Sequence, residues 1–119
     1  MSNESPNLLH VFADQMRAME MSCAGSPNIE TPNMDRLANE GAIFTRMYTS
    51  CPVCCPARSS MMTGMFPNHT GVWKNDVRLR EDVPCIAEIT RDAGYVTGIV
   101  GLEKWDIGKW DEGCLDRGF

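Results

Sequence analysis

The chain has 119 residues, a formal net charge of -5, 43% hydrophobic and 23% charged residues, a length for at most one domain with a single modest core. Its acidic balance excludes broad electrostatic attachment to nucleic acid or to an anionic membrane surface. No apolar run approaches the roughly 20 residues that span a bilayer.

The amino terminus, MSNESPNLLHVFADQ, carries no basic segment, and His10 and Asp14 interrupt its short apolar stretch. That pattern argues against a secretory leader and for a cytoplasmic protein. The six cysteines are then expected as free thiols in a reducing compartment, with a disulfide framework as the alternative that an even count leaves open. The nine methionines read as pliable core filler.

Residues 7–13, NLLHVFA, form an apolar run ending at Asp14 and read as a buried strand. A loop marked by Gly25, Ser26, Pro27 and Asn28 follows. TPNMDRLANEG then predicts a helix, with Thr31 as cap, Pro32 in the first turn, Met34, Leu37 and Ala38 facing inward, and Gly41 as terminator. AIFTRMY (42–48) alternates as a second strand. PARSSMMTG predicts a helix opened by Pro56 and closed near Gly64. EDVPCIAEITRDAG predicts a third, with Pro84 near its start, Ile86, Ile89 and Ala93 inward, and Gly94 as a stop. YVTGIVG (95–101) is the last clear strand.

Strands alternating with helices imply an α/β architecture with a largely parallel sheet flanked by helices. Ligands of such sheets bind at the carboxyl ends of strands, and Asp14 sits at one. The final stretch, WDEGCLDRGF, gives no sign of closing a sheet, so the chain reads as the front of something longer.

The densest chemistry lies in CPVCCPARSSMMTG, residues 51–64. Cys51 and Cys54 form a C-x-x-C that suits zinc or a redox dithiol. A structural zinc site wants four ligands in paired knuckles, and Cys23, Cys85, Cys114, His10 and His69 supply no second tight pair. A redox pair wants a shielded second cysteine, which Cys55 and the nearby Arg58 make awkward. Cys54, Pro56 and Arg58 also fit C-x-P-x-R. A side chain at a helix amino terminus meets unpaired N–H groups and the positive end of the helix dipole, which favour an anion. Pro56 is preorganised for a first turn, and Arg58 stays charged at any relevant pH.

C-x-P-x-R followed by a short helix ending in Met62-Thr63-Gly64 resembles the signature of the formylglycine-dependent sulfatases of the alkaline-phosphatase-like superfamily. PNLLHVFADQ, TPNMDRLANEGAIFTRMYT, PVCCPARSSMMTGMFPNHTGV and AGYVTGIVG resemble successive blocks of that family's amino-terminal half. The resemblance implies hydrolysis of a small-molecule or saccharide sulfate monoester, and conversion of Cys54 to formylglycine by a maturation enzyme. One hydroxyl of the hydrated aldehyde, ionised by a bound divalent cation, then attacks sulfur and expels the alcohol. The second loses its proton and ejects sulfate as the aldehyde re-forms. Cys51 and Cys55 read as packing.

By the same resemblance Asp14, Gln15 and the modified Cys54 bind the cation, Ca²⁺ or Mg²⁺, to which hard oxygen ligands are suited. The family usually carries Asp-Asp there; Asp-Gln resembles its choline-sulfatase-like and phosphonate-monoester-hydrolase-like branches. Those branches place a substrate-contacting polar residue where Asn75 stands, and His69 reads as structural. The family's G-K-W-H-x-G appears here as GLEKWDIGKWDEG. Lys104 lies nearer the expected spacing than Lys109, after Leu102 and Glu103 as apparent insertions, and is the candidate catalytic lysine. Asp106 replaces the histidine, and its charge would repel an anionic sulfate, so the histidine's role does not pass to it. The competing functions are a phosphonate or phosphate ester hydrolase of the same superfamily, an inactive truncated relative, and a cysteine-rich zinc-binding module.

Overall fold

A computed structural model of the chain describes residues 5–100. The chain divides into two compact units, with the boundary between Met47 and Tyr48.

The first unit contains two 3-10 turns, Ala18–Glu20 and Ser22–Ala24, and helix α1, Pro32–Glu40. Pro32 at the head and Gly41 at the tail behave as their types dictate: proline has no N–H to orphan, and Gly41 N–H donates to the Leu37 carbonyl at 2.9 Å. Thr31 precedes the helix but makes no side-chain cap. Its hydroxyl lies 2.8 Å from that of Ser22 and accepts from Ser22 N–H at 3.0 Å. Asp35, in the first turn of α1, accepts from Ser22 Oγ at 2.8 Å and from Cys23 N–H at 2.8 Å. Thr31 and Asp35 therefore tie the second 3-10 turn to α1, a non-local demand that outcompetes local capping. The expected inward stripe of α1 is not buried: Leu37 is 67% exposed.

The second unit is built around α2, Cys54–Thr63, followed by the one-turn α3, Pro67–Thr70, and by α4, Ile86–Asp92. Helix α2 begins two residues before the expected Pro56, which falls in its first turn, where a missing N–H costs no hydrogen bond. It ends at Gly64, whose φ of +69° is left-handed, a conformation that glycine adopts without a Cβ penalty. Cys55, Val72, Leu79 and Val83 form one buried cluster under the start of α2, with Val77 against it. Met62, Cys85 and Ala87 form another where α2 meets α4, joined by Met61. Cys85 caps α4, and its N–H donates to Glu88 Oε2 at 2.8 Å in a capping box with a thiol in place of the usual hydroxyl. The face of α4 differs from expectation. Ala87 is the residue buried there, small enough to let α2 approach, while Ile86 and Ile89 point outward, Ile89 at 56% exposure.

The expected strands at 7–13, 42–48 and 95–100 are irregular or turning backbone, and no strand is present among the described residues. A parallel strand is defined by neighbours that accept and donate its ladder bonds, and no such ladder forms among the described residues. Their apolar side chains are correspondingly uncovered, Leu9 at 89% exposure. No helix among the described residues is long and apolar enough to cross a membrane.

Candidate active site

The start of α2 organises the chemistry. Val53 occupies the cap position in an extended conformation (φ -112°, ψ 142°) and has no polar atom with which to cap. Cys54 takes the first helical position and is exposed, whereas Cys55 turns into the core at 2% exposure. Ala57 N–H closes the first turn on the Val53 carbonyl at 3.0 Å. Arg58, four residues after Cys54, falls on the same helical face, and long helical side chains lean back over the preceding turn. Arg58 is itself buried, at 7% exposure, and brings a guanidinium to this helix.

A serine–threonine pair fixes the middle of this helix. Ser59, fully buried, donates to the Pro56 carbonyl at 3.0 Å and lies 3.4 Å from the Thr70 hydroxyl. Thr70 Oγ1 in turn accepts from Val72 N–H at 3.2 Å. Through these bonds α2 holds the start of the loop 72–79, and that loop returns to the head of α2: Cys55 N–H donates to Asn75 Oδ1 at 3.1 Å. Asn75 lies in an exposed turn completed by Asp76 at φ +64°, a left-handed position that aspartate tolerates better than most residues. The hydrogen-bonded, positively polarised end of a ten-residue helix, with Arg58 one turn further along it, is suited to binding and orienting an anion beside residue 54.

Cys54 and Asn75 thus meet at the head of α2, with Arg58 one turn further along it. Asp14 and Gln15 form an exposed turn in the other unit, with Gln15 at φ +52°, a left-handed conformation that costs an ordinary residue about 1 kcal/mol. Lys104, Lys109 and Asp106 lie outside the described residues, as does Cys114. His69 is exposed in α3, and Cys51 is half-buried, its carbonyl accepting from Thr49 Oγ1 at 2.8 Å. The described cysteines, Cys23, Cys51, Cys54, Cys55 and Cys85, are all free thiols. Among the described residues no three His, Cys, Asp or Glu side chains converge to hold a metal ion, so the zinc reading gains no support. Sequence reasoning missed the contact between Asn75 and the Cys55 backbone and the Ser59–Thr70 pair, because partners 20 and 11 residues apart leave no local signature. The Cys85–Glu88 box did have one, a polarisable side chain three residues before a glutamate.

The sulfatase family model matches residues 6–119. The chain is 35% identical to N-acetylgalactosamine-6-O-sulfatase of Bacteroides thetaiotaomicron over 97% of its own length and 23% of the relative's. It is 40% identical to an ulvan-active sulfatase of Formosa agariphila over 86% of the chain and 20% of that protein. With human arylsulfatase A it shares 34% identity over 92% of the chain and 22% of the relative. The chain therefore spans about a fifth of the length of these relatives. No solved structure matches it.

Proposed function

Because this chain belongs to the sulfatase family, we propose that its full-length form hydrolyses a sulfate monoester, of a saccharide or another small alcohol, through a formylglycine made from Cys54. Membership implies the alkaline-phosphatase-like α/β fold, and residues 1–119 are the amino-terminal part of one such catalytic domain. The observation that carries the reading is Cys54 exposed at the first position of α2 with Arg58 on the same face.

The family uses a formylglycine and a divalent cation. When hydrated, the formylglycine supplies a geminal diol, one hydroxyl to attack sulfur and the other to eject sulfate. Around it the chain's own groups bind and orient. The amino terminus of α2 and the Arg58 guanidinium hold anionic oxygen. The amide Nδ2 of Asn75, left available because Oδ1 faces the Cys55 N–H, donates to the substrate anion, and Lys104 adds a second cation. Asp14 and Gln15 supply two oxygen donors for Ca²⁺ or Mg²⁺, and the strained backbone of Gln15 supports a functional role for that turn. Two donors fall short of the roughly six to eight oxygens Ca²⁺ takes, so the described residues alone do not complete a cation site.

Gln15 in place of a second carboxylate favours one competing substrate, an aryl phosphonate ester. Steady-state assays of the matured full-length protein on paired aryl sulfate and aryl phosphonate substrates separate the two. The expected result is faster sulfate turnover, lost in Cys54→Ala. Faster phosphonate turnover assigns the protein to the other branch, and turnover unaffected by Cys54→Ala contradicts both.

A further inference from the structure

Helix α2 lacks the local cap that a helix of its length ordinarily has. Val53 has no acceptor in its side chain, and a valine at this position forgoes the stabilisation of a serine, threonine or aspartate cap. Of the first-turn donors, Pro56 contributes none and Ala57 N–H is already bonded to the Val53 carbonyl. The Cys55 N–H, at the second helical position, is the donor a capping side chain ordinarily serves, and it is served by Asn75 Oδ1 at 3.1 Å from 20 residues away.

We propose that Asn75 is a positioning residue: its Oδ1 acts as a non-local cap on α2 that fixes the peptide linking Cys54 to Cys55, and with it the direction in which residue 54 points. This inference rests on the sulfatase reading for its catalytic consequence, and differs from a substrate contact, which would use Nδ2. The loop bearing Asn75 is anchored on both sides independently of that bond, by Val72 and Leu79 in the buried cluster that includes Cys55. Asn75 itself is exposed. Removing its amide therefore leaves the loop in place and opens no cavity, while freeing the first turn of α2. Aspartate keeps an acceptor for the Cys55 N–H but has no N–H to donate, so Asn75→Ala and Asn75→Asp separate the two roles.

The test uses the matured full-length protein, reading amide exchange at Cys55 together with kcat and KM for an aryl sulfate. In Asn75→Ala the Cys55 amide is expected to exchange about fivefold faster or more, the scale of a lost cap. The same variant is expected to lose kcat by about tenfold to a hundredfold, as for a misplaced reacting group, with the melting temperature lowered by no more than a few degrees, as for one lost cap. Asn75→Asp is expected to restore the slow exchange and much of the kcat lost in Asn75→Ala, with KM raised by the added charge. Unchanged Cys55 exchange in Asn75→Ala overturns the proposal, as does Cys55 exchange in Asn75→Asp as fast as in Asn75→Ala. Absence of aryl sulfate turnover in the wild type counts against the sulfatase reading alone; the exchange comparison still decides for or against the cap.

Discussion

At the scale of single residues, Cys54 and Cys55 show how one position along a helix separates chemistry from packing. Both are cysteines, yet the first is exposed at the helix head and the second is sealed among Val72, Leu79 and Val83. Cys55→Ser places a hydroxyl in that apolar cluster and is expected to destabilise the protein by about 1–3 kcal/mol, checked by denaturant unfolding. Cys54→Ser is expected to leave the unfolding midpoint within experimental error while abolishing turnover. Arg58→Lys keeps the charge but loses the planar fork of donors; kcat/KM is expected to fall by at least about tenfold, read by steady-state kinetics. The roles proposed for Cys54 and Arg58 rest on the likeness to the sulfatases, whereas the helix near Pro56 was legible in local spacing. The contact of Asn75 with the Cys55 backbone was not, since nothing in a linear pattern says which loop returns to a helix head.

At the scale of elements, termini were easier to read than faces. Pro32, Gly41 and Gly64 stand at or beside the helix boundaries they mark, because glycine and proline act through their own backbones. Gly64→Ala, at φ +69°, is expected to cost about 1 kcal/mol. Thr70→Val removes the acceptor for Val72 N–H and is expected to cost about 1–3 kcal/mol; a smaller shift in the unfolding midpoint would show that the bond is replaced. Helix faces depend on what lies opposite. Periodicity alone placed Ile86 and Ile89 inward on α4, whereas the neighbour that α4 meets, α2, presses on Ala87. Thr31 shows the same limit for caps, its hydroxyl being committed to Ser22 and Asp35.

At the scale of the whole molecule, segments 7–13, 42–48 and 95–100 combine strand-like composition with uncovered apolar side chains, among them Leu8, Leu9, Val11, Phe44, Met47, Val96 and Val100. Composition and spacing pointed to an α/β class, which membership of the sulfatase family also implies, but no strand forms among the described residues. So much exposed apolar surface is expected to bind a hydrophobic dye such as ANS strongly when the 119-residue chain is studied by itself; fluorescence no greater than that of a well-folded control would show that the segments are covered. The most direct test of the central claim lies at Cys54. After co-expression of the full-length protein with a formylglycine-generating enzyme, mass spectrometry of the tryptic peptide ending at Arg58 reads residue 54 itself. The expected result is an aldehyde in place of the CH2–SH group at that position alone, captured by a hydrazide probe; a thiol there under every maturation condition would contradict it.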